Sequence, residues 1–239
     1  MSTISTSRLA RRAALVALAA LPTLGAACAS VNTSKERGAA GGAAAGAAVG
    51  ALIGRANGST ARGAIIGAVV GGTAGAVIGH QMDQRAKELD QAIAGAKVER
   101  VGEGILVTFE SGLLYDFGSA GVKPAAQANL RELAKGYTKY GDTELLIVGH
   151  TDSVGSAAYN AALSQRRAEA AAAYLVQQGV PRSHLRVEGK GLAEPVAAND
   201  SEAGRQKNRR VEVAIFAGDA LKQKARQQAG GQQTARSGR

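Results

Sequence analysis

One cysteine, Cys28, stands in a chain of 239 residues, so no disulfide can close within it. Histidine occurs three times, scattered, and together with a single thiol this gives no ligand set of the kind that builds a structural zinc site. Tryptophan is absent and aromatics make up 3% of the residues, which argues against the stacking platforms of single-strand nucleic-acid binders. Acidic residues are in deficit, 19 against 29 Lys and Arg, but five of the basic residues lie beyond residue 217, away from any candidate folded surface. No G-x-S-x-G elbow occurs. His150 and Asp152, which with Ser153 or Ser164 supply the residue types of a hydrolase, sit two apart in one turn. The chain therefore reads as a non-enzyme that needs no cofactor and no metal, and nucleic acid is not an expected partner. What it has in excess is glycine, 32 residues, most of it in one stretch.

Residues 1–27 have the layout of an export signal. Arg8, Arg11 and Arg12 precede an apolar run over 13–24, too short for a stable bilayer span. Gly25-Ala26-Ala27-Cys28 follows. The only thiol thus comes after small residues, and the segment resembles a bacterial lipobox, with Gly25 where leucine is usual. The resemblance implies a lipid on Cys28 and a lipidated linker over 28–37. Ordinary cleavage around Ala27-Cys28-Ala29 is the other reading.

Glycine then recurs every four residues from 38 to 58, slips by one place, and recurs every four from 63 to 79. Ala, Val, Ile and Leu fill the intervals. On a helix this spacing drifts only about 40° per step and makes a groove along one side. A row of poor helix formers is sensible where another backbone packs into that groove. The slip falls in the polar stretch 55–62, so the pattern predicts two helices, 38–54 and 63–79, folded as a hairpin. Each would be about 25 Å long. The segment resembles the glycine zippers of bacterial envelope proteins, which implies association with a membrane. A water-exposed helical pair that forms a homo-oligomer is the competing structured reading. Residues 80–97, polar on most faces, read as a helical connector that lifts the remainder of the chain away from the membrane.

Residues 98–217 read as one globular domain. Val98–Val101 and Ile105–Phe109, around Gly102-Glu103-Gly104, predict a hairpin. Pro124 opens a helix with Leu130, Leu133, Ala134 and Tyr137 at core spacing. Leu145-Leu146-Ile147-Val148 is a strand buried on both faces. A helix follows from Ser156 to Gln178, stopped by Gly179, then a strand at 185–188 and a last strand in which Val211, Val213 and Ile215 alternate with Glu212 and Ala214. The order ββαβαββ predicts a two-layer α/β sandwich with a mixed sheet and its helices on one side. Residues 218–239, rich in Gln and Gly, read as a disordered basic tail.

The chemistry concentrates after the central strand. Asp152 follows the strand end, in the crevice where open α/β sheets place ligands. Asn160, Ser164 and Arg167 share one helix face, and Arg167 leans back toward the Asp152 loop. Arg209 shares the parity of the inward-facing residues of the last strand. A carboxylate beside guanidinium groups suits a zwitterion. The stretch from Thr151-Asp152 through Gly155, Asn160, Leu163-Ser164 and Arg167-Ala168, with Asn208-Arg209-Arg210-Val211-Glu212, resembles the OmpA-like peptidoglycan-binding domain family of outer-membrane protein A, Pal and MotB, over about 104–217. The resemblance implies non-covalent binding of the meso-diaminopimelate residue of peptidoglycan, with Asp152 on its ammonium, Arg167 on its carboxylate, and Asn160 and Arg209 completing the pocket. The family usually has Phe-Asp-Phe-Asp/Asn-Ser where this chain has Tyr115-Asp116-Phe117-Gly118-Ser119, so Asp116 is carried over while Gly118 offers only backbone. The layout is similar to a glycine-zipper lipoprotein of the outer membrane, anchored by lipid and facing the periplasm. Ala29 rather than Asp after the cysteine implies that membrane by the usual sorting pattern. Such a protein tethers the outer membrane to the wall; an oligomeric envelope scaffold in which the zipper is the working part is the alternative.

Overall fold

The computed structural model describes residues 58–237. The signal, Cys28, the linker and the first glycine-spaced segment, 38–54, lie outside the described residues.

Two helices come first, the short α1 (Thr60–Gly67) and the long α2 (Gly72–Ala92). The hairpin β1 (Ala96–Val101) and β2 (Gly104–Glu110) follows, then α3 (Ser111–Leu114), α4 (Pro124–Tyr140), β3 (Thr143–His150), α5 (Ala157–Gln177), β4 (Leu185–Gly191), α6 (Glu202–Asn208), β5 (Arg210–Ala217) and α7 (Asp219–Ser237). The sheet order is β1-β2-β5-β3-β4, with β3 and β4 parallel and every other pair antiparallel. The hairpin, the buried β3 and the helices α4 and α5 fall where the sequence pattern puts them. Helix α5 starts at its Ser156 cap, whose hydroxyl accepts from the Tyr159 amide at 3.2 Å.

The period-two pattern of the strands splits the sheet into two apolar faces. Ile105, Val107, Phe109, Leu145, Ile147, Val211, Val213 and Ile215 face α2, α4, α5 and α7 in the main core. Leu106, Leu146, Val148, Ala214 and Phe216 face the other way and are covered by Ala61, Ala64, Ile65 and Ala68 of α1. The helices therefore do not lie on one side only. Because α1 covers the second face, Glu212 is buried rather than solvent-facing, and it pairs with Arg210 at 2.8 Å. Glu194 anchors α1 there, accepting from the Thr60 amide at 3.1 Å and the Thr60 hydroxyl at 2.5 Å.

Three other expectations need correction. The segment 63–79 is not one helix. It breaks between α1 and α2, where Gly71 and Gly72 take φ of 73° and 61°, a left-handed backbone open to glycine. The freed amides of Val70 and Gly71 each donate to the Glu103 carboxylate at 2.8 Å. Nor are residues 80–97 a stalk. Helix α2 runs on to Ala92 and buries Ile78, Met82 and Leu89 in the domain core, and Arg85 of α2 donates to Thr143 of β3 at 3.0 Å. The segment after 217 is helical, with Leu221, Ala225 and Ala229 at i, i+4 and i+8 buried in the core. Among the described residues no helix is long and apolar enough to cross a membrane.

Candidate functional site

Helix α5 approaches the sheet closely because Gly149 and Gly189 lack side chains. A Cβ on either would collide with the α5 backbone, at Ser164 and Gln165 respectively. This close approach fixes the loop between β3 and α5. The Thr151 amide donates to the Gly191 carbonyl at 2.9 Å. Asp152 Oδ1 accepts from the Val154 amide at 3.0 Å, folding the loop back on itself, and Asn160 Nδ2 donates to the Val154 carbonyl at 2.9 Å. Ser156, not Asp152, caps α5. Asn160 and Asp152 are both buried.

Arg167 is two turns further along α5 from Asn160. Its guanidinium carbon lies 5.4 Å from the centre of the Tyr115 ring, and its Nε donates to the Ser119 carbonyl at 2.9 Å. The terminal nitrogens make no hydrogen bond to any described residue, although Arg167 is only 5% exposed. Burial lowers its pKa, while Tyr115 and Asp152 act to raise it and Arg209 to lower it; the charges of Asp152 and Arg209 thus reach Arg167.

Helix α6 supplies the opposite wall. Its Ser201 cap accepts from the Gly204 amide at 3.2 Å, and Arg209 follows its last residue. Arg209 Nη1 donates to Asp152 Oδ2 at 2.7 Å and its Nη2 to Glu202 Oε1 at 2.5 Å. Burial opposes the charge of Arg209, but the two carboxylates outweigh it and raise its pKa. Asn208 points elsewhere, tying the 196–199 loop through the Val196 and Ala197 amides at 2.8 and 3.0 Å.

Asp116, Gly118, Asp152, Asn160, Arg167 and Arg209 all line one cavity of about 620 Å³. Asp116 is mostly exposed, 3.6 Å from Lys123. Gly118, at φ 68°, turns the loop at the rim, with open space where a side chain would be. Ser164 is not part of the wall. Its hydroxyl donates to the Ala161 carbonyl at 2.9 Å and accepts from the Gly191 amide at 2.8 Å, joining α5 to β4. His150 lies on the second face of the sheet, 3.6 Å from Glu212, so His150, Asp152 and Ser153 do not converge.

The sequence reading missed Glu202, which lines the cavity and holds Arg209. Its signal was the spacing to Arg205 and Arg209, i+3 and i+7, one face of a helix. Phe117, Val154 and Tyr159 also line the cavity with exposed apolar surface. The arrangement offers a buried carboxylate, an amide and a guanidinium with no carboxylate partner among the described residues around one opening.

The sequence pattern of the OmpA family matches residues 114–209, the segment that carries this cavity. Residues 114–209 are similar to the OmpA family. The pattern of the YMGG-like Gly-zipper matches residues 9–83 and so runs through α1 into α2. The chain is 37% identical to "Probable lipoprotein YiaD" of Escherichia coli strain K12 over 140 residues, 58% of this chain and 64% of that protein. It is 42% identical to "Outer membrane porin F" of Pseudomonas fluorescens over 112 residues, 47% of this chain and 34% of that one. The chain thus spans about a third to two thirds of the length of these curated relatives. Among solved structures, the cell wall anchor of the T6SS from Pseudomonas aeruginosa matches with 31% identity and a TM-score of 0.50, covering 57% of this chain and 96% of that one. At the rim of this cavity Gly118 supplies backbone alone.

Proposed function

We propose that the cavity binds the meso-diaminopimelate residue of the peptidoglycan stem peptide, and that the protein tethers the outer membrane to the cell wall through a lipid on Cys28. The observation that carries the reading is Arg167. Its side chain packs on Tyr115, and its terminal nitrogens, which no described protein group satisfies, open into the cavity that also holds Asp152. A fork of donors that faces a cavity suits an acceptor pair, and a carboxylate supplies one. In this reading Arg167 takes the ligand carboxylate and Asp152 its ammonium. Asn160 holds the loop that presents Asp152, and the Gly118 backbone and Asp116 close the exposed side. Arg209, already engaged by Asp152, fixes that carboxylate in place rather than meeting the ligand carboxylate.

Each charge-assisted bond contributes about 1.5–3 kcal/mol, and much of that is offset by the loss of ligand freedom. One site therefore holds a free amino acid weakly. A wall that repeats the ligand, facing proteins held on a membrane, raises the effective concentration and turns weak sites into a firm attachment.

The reading is tested by retention on purified sacculi. Wild-type protein is expected to sediment with them, and Arg167→Ala and Asp152→Ala to stay in solution; equal retention of all three would falsify the site. For the anchor, Cys28→Ser is expected to move the protein from the membrane to the soluble periplasmic fraction.

A further inference from the structure

Resting on the ligand assigned above, a problem of charge arises at its ammonium end. Asp152 is the carboxylate that would hold the ammonium, yet Arg209, a permanent cation, is hydrogen-bonded to it at 2.7 Å. A second cation brought to Asp152 meets Arg209 across a partly buried wall, where like charges repel strongly. The pair alone is neutral and gives an ammonium no net attraction.

Glu202 changes that balance. Its Oε1 takes the other arm of Arg209 at 2.5 Å, so Arg209 is held between two carboxylates, and Asp152 and Glu202 together offset the two cations of this wall, Arg209 and Arg205. Glu202 is itself fixed, because Oε2 accepts from Arg205 Nε at 3.0 Å and Nη2 at 2.8 Å, while Arg205 Nη1 is tied to the Asn199 carbonyl at 3.0 Å. The first position of α6, behind the Ser201 cap, sets the backbone from which it reaches. Glu202 lines the same cavity as Asp152 and Arg167. By holding Arg209 on the Asp152 side, it also leaves Arg167 as the cation without a protein carboxylate.

We propose that Glu202 determines specificity: it offsets the charge of Arg209 so that the cavity selects a ligand bearing both an ammonium and a carboxylate over one bearing carboxylates alone. Without Glu202, Arg209 and Arg205 outnumber Asp152 and the end that meets the ammonium becomes net positive, and Arg209 is free to turn toward the carboxylate end. Ammonium-bearing ligands lose and simple diacids gain.

The test compares two ligands on the full-length protein in detergent: meso-diaminopimelate, and pimelate, the same diacid stripped of its amino groups. Dissociation constants are taken from chemical-shift titrations of wild type, Glu202→Gln and Glu202→Asp, and the quantity read is the ratio of the two constants. The side chain of Glu202 is 65% exposed, so the expected effect has the scale of a surface ion pair: the preference for diaminopimelate falls about three- to fivefold in Glu202→Gln. Pimelate is expected to bind Glu202→Gln as well as wild type or better, and Glu202→Asp to keep a preference nearer to wild type than Glu202→Gln does. If wild type prefers diaminopimelate and Glu202→Gln keeps the same ratio, or loses both ligands equally, the inference is overturned while the site assignment stands. If wild type binds neither ligand, the site assignment fails and takes this inference with it.

Discussion

Tyr115 and Arg167 hold each other twice. The ring lies under the guanidinium at 5.4 Å, and the phenol donates to the Arg167 main-chain carbonyl at 2.6 Å. Burial raises the pKa of Tyr115, with Arg167 pulling the other way, so the phenol stays a neutral donor across the physiological range. The two contacts separate in variants. Tyr115→Phe keeps the ring and removes one bond to a carbonyl in the middle of α5, which costs about 1 kcal/mol of stability; sacculus retention should barely change. Tyr115→Leu loses the ring face as well, and retention should fall about fivefold, the scale of a desolvated cation–π contact. Urea midpoints and sedimentation with sacculi check the two.

Asp152 has both a structural and a recognition role, and asparagine divides them. Asp152→Asn keeps an acceptor for the Val154 amide and loses the ion pair to Arg209. Because Arg209 is 29% exposed, the loss should be modest, about 1 kcal/mol, and the fold should persist. Sacculus binding should nevertheless fall to background, since an amide cannot hold an ammonium as a carboxylate does. Arg166→Ala, one residue from Arg167 but on the exposed face of α5, should alter neither stability nor retention.

Acid should act on the second face of the sheet. Burial alone would raise the Glu212 pKa, but His150 and the Arg210 guanidinium at 2.8 Å pull it down to about 2. A carboxyl whose folded pKa lies below its unfolded value of 4.5 stabilises the fold above that value. The contribution is lost as pH falls from 4.5 toward 2, and amounts to about 3 kcal/mol at most. Burial lowers the His150 pKa below 6.5, so the unfolded chain binds that proton first and stability also declines as pH drops under 6.5. The two effects have the same sign. Urea midpoints between pH 7 and pH 3 should fall for wild type, and His150→Leu should flatten the part of the curve just below pH 6.5.

Much of this was legible because it depends on short-range pattern. The four consecutive aliphatics of β3, the Ser156 cap and Gly179 stop of α5, and the fixed offsets from Asp152 to Asn160 and Arg167 carry their own geometry. What stayed hidden depends on which surface a segment meets. Ala61, Ala64, Ile65 and Ala68 are small apolar residues between glycines, a pattern that suits lipid-side packing and sheet packing alike, so docking of α1 on the domain could not be read. Glu212 then reads as an outward residue, since alternation marks a solvent face unless something covers it. Leu221, Ala225 and Ala229 are three small anchors in a Gln-rich segment whose mean composition suggests no core. Glu202 is hidden because its partner, Arg209, shares the parity of Val211, Val213 and Ile215 and so reads as strand, whereas it follows the end of a helix.

Adjacent isoleucines distinguish a docked α1 from one buried in a bilayer. Ile65 is 1% exposed and Ile66 62% exposed, because Ile65 packs on Leu106, Leu146 and Phe216 while Ile66 points away from the domain. Truncating Ile65 opens a cavity between helix and sheet, and Ile65→Ala should cost about 2–4 kcal/mol. Ile66→Ala removes exposed surface and should stay within about 0.5 kcal/mol of wild type. Loosening the helix by its anchor gives an independent check. Thr60→Val removes the hydroxyl that Glu194 accepts from at 2.5 Å and leaves that buried carboxylate with one backbone partner, for a loss of about 1–3 kcal/mol. Proteolysis should then cut first between 58 and 71. Equal tolerance of alanine at 65 and 66 in urea unfolding would mean that α1 does not rest on the sheet in solution, and that its apolar residues serve another surface.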